Sequence, residues 1–167
     1  MTNDSTHAQL KDTGTTAVGV TRQHKSAFFK QKELNWTPWV MEGTWFKLLS
    51  INPVSGGFSM ILKVEPDNVA PIHGHIGLVE GIILEGGFAY DDDWGLAQDY
   101  VCEPAGINHK PVTGPDGMVM FAVVHGPLTG YHEDGSIAAV LDSKYMYELA
   151  EQGGAASHID KPLHWED

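Results

Sequence analysis

From Trp36 onward, short apolar runs alternate with turn-forming residues. In "WTPWVMEGTWFKLLSINPVSGGFSMILKVEP" the β-branched, aromatic and aliphatic runs are broken at Asn52-Pro53, Ser55-Gly56-Gly57 and Pro66-Asp67-Asn68. The same rhythm recurs over 79–91, 98–103, 117–125 and 137–141, with Gly86-Gly87, Asp91-Asp92-Asp93, Pro115-Asp116-Gly117 and Asp134-Gly135 as punctuation. Many short strands at this spacing predict an all-β antiparallel barrel or sandwich. One segment breaks the rhythm. "DSKYMYELAEQGG" offers Asp142 or Ser143 as N-cap, an interior free of proline and glycine, and Gly153 as a stop, which predicts one helix over about 143–152. Residues 1–26 show no hydrophobic period and read as a flexible N-terminal arm; 27–152 form the barrel and its helix; 153–167 read as a polar tail with Trp165 as its anchor.

Length fits this pattern to one domain, because 167 residues at 42% hydrophobic content suit a single core. No stretch has the apolar length of a signal peptide core or a membrane span, so a soluble, cytoplasmic protein without membrane partners is expected. Cys102 is the sole cysteine, which rules out an intrachain disulfide and a thiolate cluster and leaves nitrogen and oxygen as metal ligands. The formal net charge of −12 argues against nucleic acid. Arg22 is the only arginine, so from residue 27 on no guanidinium is present to clamp a phosphate or carboxylate. A small neutral molecule is the ligand this charge pattern admits.

Candidate chemistry concentrates in "PIHGHIGLVEGIILEGG", residues 71–87. On a strand, His73 and His75 face one side, about 6–7 Å apart at their backbones, and can share an ion. In "EPAGINHKP", Pro104, Gly106 and His109 make a turn before an apolar strand, a layout that can aim a third imidazole inward.

"HGHIGLVEGIILEGG" and "PAGINH", about twenty residues apart, resemble the two metal-binding motifs of the cupins. The resemblance implies a small jelly-roll barrel and, at the matching positions, His73, His75 and His109 as ligands of one divalent metal per chain. The pattern also asks for a glutamate. Counted forward from His75, Glu80 takes that position; counted back from Gly86, Val79 does. A one-residue slip reverses the face, so Glu80 is either a fourth ligand reached through a bulge or an outward carboxylate near a three-histidine site. The flanks "WTPWVMEGTWFKLLSINPVSGG" and "VVHGPLTGYHEDGSIAAVLDSKYMYELAEQ" resemble the branch of cupins that holds 2,4'-dihydroxyacetophenone dioxygenase and acetylacetone dioxygenase, and also a zinc-binding anti-sigma-factor cupin.

This branch implies a non-haem iron(II) dioxygenase, with zinc, nickel and manganese as the other metals the ligands accept. The substrate would be a small neutral β-diketone or α-hydroxyketone, chelated as its enolate and cleaved at a carbon-carbon bond with dioxygen. Glu80 and Glu103 are the candidate bases. His125, Trp45 and Met120 are candidates for contact with substrate or ligands, although Trp45, Phe58, Met60, Met120 and Phe121 equally suit barrel filling. His132, His158 and His164 read as solvent groups and "YDDDWG" as a solvated loop. Two alternatives use the same histidines: a non-catalytic metal-holding cupin that senses a small ligand, and an oxygen-independent isomerase or hydrolase. Barrel edges and the arm imply a homodimer or homotetramer.

Overall fold

The computed structural model describes Phe28, residues 30–162 and Trp165. The arm at 1–26, Arg22 within it, and His164 lie outside the described residues. Among the described residues the fold is the expected all-β barrel with one α-helix, which lies C-terminal to the strands. Its larger sheet contains β1 (Thr37–Pro38), β2 (Thr44–Asn52), β3 (Gly57–Val64), β5 (Val79–Tyr90), β6 (Asp93–Leu96), β7 (Tyr100–Glu103) and β9 (Val112–Val124). The order is β1-β2-β3-β9-β5-β6, with β7 also paired to β5. The smaller sheet joins β4 (His73–His75), β8 (Asn108–His109), β10 (Leu128–Tyr131) and β11 (Ile137–Leu141) in the order β11-β10-β4-β8. Each pairing between these strands is antiparallel.

Alternation decides which residues point into the barrel. Phe46 and Leu48 on β2, Met60 and Leu62 on β3, Val79 and Ile83 on β5, and Met118, Met120, Ala122 and Val124 on β9 are buried in one cluster. The intervening residues point outward: Trp45 pairs with Lys63 across β2 and β3, and the ammonium lies 5.6 Å from the indole centroid.

The turn expected at Pro115-Asp116-Gly117 is a bulge inside one long strand. Between the pairs Gly86↔Met118 and Phe88↔Thr113, β5 advances two residues while β9 advances five. Gly86 and Gly117 both take φ of +67°, a conformation that disfavours side chains and lets the two backbones approach. The loop expected at "YDDDWG" is half strand: the chain turns at Asp91-Asp92 and returns as β6, with Trp94 opposite Ala89.

The helix α1 spans Ser143–Gln152, and Asp142 caps it by accepting the Tyr145 amide at 2.9 Å. Met146, Tyr147 and Ala150 form its buried stripe. Beyond it the chain is less polar in its packing than expected, for Ala155, Ala156 and Ile159 are buried and Trp165 packs edge-on against Tyr147. His158 is also drawn in, its Nε2 2.8 Å from the Leu48 carbonyl oxygen, rather than left in solvent. Among the described residues no helix is long and apolar enough to cross a membrane.

Candidate metal centre

Three short strands carry the histidines. β4 lies between β10 and β8, with His73 opposite both Gly130 and His109, and His75 opposite Leu128. His73 and His75 therefore share the inward face, and the β4–β8 pair brings His109 beside them. Gly74 between them faces the other way, where a Cβ would collide with the Asn108 amide and crowd Thr129 Oγ1 at 3.1 Å and Tyr131 Oη at 3.2 Å. That crowding explains why glycine separates the two histidines. Gly106, at φ +78°, turns the "PAGINH" segment, and its amide donates to the His75 carbonyl at 2.8 Å. The turn is thus tied to the strand whose histidines it completes.

The ring nitrogens converge. His109 Nε2 is 3.0 Å from His73 Nε2 and 3.2 Å from His75 Nε2, and one donor atom from each ring falls within a 4.8 Å set. Nitrogens held 2.0–2.1 Å from one ion at right angles would be about 3 Å apart. The donor set therefore fits one divalent cation bound on a triangular face, with further positions open. His73 Nδ1 lies 3.0 Å from the Pro71 carbonyl, which only accepts, so Nδ1 carries the proton and Nε2 presents its lone pair to the centre. Burial, first, and then the neighbouring His109 and His73 push His75 down to about 3. Burial and His73 push His109 down to about 4, and burial lowers His73 as well. All three rings are kept neutral, the form that binds metal.

Glu103 lies against this face. Its carboxylate is 3.5 Å from His75 Nδ1 and 3.8 Å from His109 Nε2, and its side chain is 10% exposed. Burial pushes its pKa up to about 7. Tyr90 donates its hydroxyl to Glu103 Oε1 and stacks on His109, with centroids 4.8 Å apart and planes 19° from parallel. Sequence reading missed Tyr90, because its position at the end of β5 is indistinguishable from barrel filling until the chain curls back.

The two counts for the motif glutamate are decided by alternation. Val79 is 3% exposed and lines the interior, whereas Glu80 points to the opposite face of β5. There Glu80 accepts from Tyr100 at 2.6 Å and lies 2.9 Å from His125 Nε2; these partners, Tyr100 first, lower its pKa. The bulge that would have turned it inward lies farther along, between Ile83 and Glu85. Glu80 does not reach the histidines, so it serves neither as fourth ligand nor as base at this centre. His125 is its outer partner and does not line the cavity beside the histidines, and Trp45 is on the outer face with Lys63. Met120 does line the cavity beside the histidines. Glu80→Gln is accordingly expected to leave metal content and affinity unchanged in equilibrium dialysis; a loss of the metal would mean that the outward orientation is wrong.

The cavity beside the histidines has a volume of about 350 Å³. His73, His75 and Glu103 give it a polar end, and its walls are mostly apolar.

The family model of the ChrR cupin-like domain matches residues 24–129. The chain belongs to this cupin family. The fold of this cupin is similar to an RmlC-like cupin of Ralstonia eutropha JMP134, at 23% identity and a TM-score of 0.73 over 83% of this chain and 92% of that one. It is similar to an acetylacetone dioxygenase of Acinetobacter johnsonii, at 18% identity and a TM-score of 0.70 over 77% and 93%. A candidate acetylacetone dioxygenase of Methylibium petroleiphilum PM1 aligns at 24% identity and a TM-score of 0.68 over 80% and 96%. The chain matches none of the curated proteins.

The buried histidines give the metal-free cupin a pH-dependent stability. His75 and His109 fold with pKa values below the ordinary 6.5, so below pH 6.5 the unfolded chain takes up protons that the folded site refuses. Their contribution is present above pH 6.5 and is lost as pH falls towards 4 and 3. Glu103 works the other way, holding a proton in the folded state between about pH 7 and 4.5. The histidines outnumber it, so the metal-free protein is expected to lose stability as pH falls below 6.5. Urea midpoints at pH 7.5 and pH 5 test this, and an unchanged or higher midpoint at pH 5 would contradict it.

Proposed function

We propose that this cupin is a non-haem iron(II) dioxygenase that cleaves a carbon-carbon bond in a neutral β-diketone or α-hydroxyketone. One observation carries the reading: three neutral imidazoles converge at the polar end of an apolar cavity, with a buried carboxylate beside them. An iron(II) ion held by His73, His75 and His109 would supply Lewis acidity towards the substrate's two oxygens, both carbonyls in a diketone or a carbonyl and a hydroxyl in a hydroxyketone, and electrons towards dioxygen.

The chain's own groups supply the rest. His73, fixed by Pro71, and His109, fixed by stacking on Tyr90, present their Nε2 lone pairs without rearrangement. Glu103 accepts the acidic C–H proton of the substrate. Its burial gives it a greater proton affinity than an ordinary carboxylate, which suits a base working near neutrality. Tyr90 steadies the carboxylate by donating to Oε1. The apolar walls exclude water, so negative charge formed on the substrate is confined to the polar end. No arginine is needed, because the substrate arrives neutral. When the bond breaks, each fragment takes one oxygen atom of dioxygen.

The likeness to acetylacetone dioxygenase folds supports the reaction class, and the ChrR-type family supports a second reading, a metal-holding ligand binder. Anaerobic loading with iron(II), followed by oxygen-electrode traces with β-diketones and aromatic hydroxyketones, separates them. Oxygen uptake that zinc does not support establishes the dioxygenase. No uptake from protein holding one iron per chain favours the binder or an oxygen-independent isomerase or hydrolase. A homodimer or homotetramer belongs to the same reading: Ile82, Leu84, Leu96 and Tyr100 expose apolar surface on β5–β7 that association would cover. Light scattering at the 18.2 kDa mass of one chain would remove that part.

A further inference from the structure

The cavity is longer and more apolar than a five-carbon diketone requires. Glu103 lies opposite Val79, and Val79 opposite Val124, which places the carboxylate at one rung of the barrel. Successive inward residues of β9 then lead away from it: Ala122, Met120 and Met118, facing Met60, Leu62 and Val64 across β3. From Val124 to Met118 is six residues, about 20 Å of strand. All of these side chains line the cavity, and none has a polar hydrogen to donate. The mouth is apolar too, for Val40 and Ile72 line it while remaining 48% and 54% exposed.

The size of this space and the chemistry of its walls both suit an apolar guest. Barrel interiors close to native density when nothing else occupies them, and a cavity of about 350 Å³ falls in the range, about 300–1,000 Å³, that encloses drug-sized ligands. Four of the chain's six methionines, Met41, Met60, Met118 and Met120, line it. Their flexible thioethers adapt to an apolar guest without imposing one shape.

We propose that the molecule taken up by this cavity carries a long apolar substituent, of about six or more carbons by the length of the wall, with the chelating ketone at the histidines and the substituent between Leu62, Met60, Met118 and Met120. The inference rests on the reading above for its chelating head; the substituent is argued from the walls alone.

Calorimetric titration of the zinc-loaded protein with 2,4-diketones of increasing alkyl length, from 2,4-pentanedione upward, tests the substituent without depending on turnover. Each added methylene should tighten binding roughly fourfold until the wall is filled. A parallel series of 2-alkanones, which lack the second chelating oxygen, separates the two ideas. Diketones that bind with no dependence on chain length overturn the apolar substituent and leave chelation standing. Alkanones that show the same rise and bind as tightly as the diketones uphold the substituent and overturn chelation. Leu62→Trp should end the rise several methylenes early, and Leu62→Ala should carry it further; a rise of unchanged length in both folded variants would place the chain elsewhere and overturn the assignment.

Discussion

Replacing His109 by alanine releases the metal. In the folded barrel His109 Nε2 is the atom that lies within 3.0 and 3.2 Å of both other ring nitrogens. Without it, two imidazoles from one three-residue strand are left to hold the ion. Altering a group behind a ligand typically lowers metal affinity 10–100-fold, so removing a ligand should exceed about a hundredfold. Equilibrium dialysis with zinc, alongside circular dichroism to show that the barrel is intact, measures this. The iron-loaded variant should show no oxygen uptake with any diketone or hydroxyketone. His125→Ala is the control: its ring sits outside the barrel on Glu80, and the metal should stay. A His109→Ala protein that keeps one tightly held metal per chain would refute the assigned centre.

Glu103→Gln is expected to separate binding from turnover. Glutamine keeps the shape and an oxygen that can accept from the Tyr90 hydroxyl, so the fold and the histidines should be undisturbed. What disappears is the proton acceptor, and loss of a general base lowers kcat by about 10²–10⁴. Oxygen uptake across pH gives the diagnostic readout. In the wild type kcat rises with pH as Glu103 ionises. Burial alone places that rise near pH 7, and a cation at the histidines draws it down towards the ordinary 4.5. The variant should lose the rise while retaining wild-type metal content. A Glu103→Gln protein with kcat within about tenfold of wild type would deny Glu103 the role of base.

Much of the fold is legible in the sequence. Alternating runs with Gly, Asn, Asp and Pro between them specify strands, because a half-buried strand needs one apolar face and a turn needs particular backbone angles. The helix expected over about 143–152 spans Ser143–Gln152, legible because its cap and its stop are local; the structure chose Asp142 over Ser143 as the cap. Less legible were β6, β8 and β10. Asp93–Leu96 carries acids and a glycine, and becomes a strand because the long β5 has an open edge to pair. The break expected at Pro115-Asp116-Gly117 became a bulge because two glycines on neighbouring strands adopt positive φ together, a nonlocal arrangement.

By itself, then, the sequence determined an all-β antiparallel fold, one helix near its C-terminal end and a chain without arginine from residue 27 on, and these follow from periodicity and composition, which are properties of neighbours along the chain. The barrel and the three histidines as a metal-binding set came from the resemblance of two motifs to those of the cupins. Tertiary structure alone decided that Glu80 faces outward with His125 and Tyr100, that Glu103 lies inside against His75 and His109, and that Tyr90 stacks on His109. On a strand a single residue of register exchanges inside for outside, and register is set by where the bulges fall and which edges pair. Burial follows from that choice, and burial is what pushes the carboxyl of Glu103 up to about 7, while on the outer face Tyr100 and then His125 hold Glu80 below the usual carboxylate range.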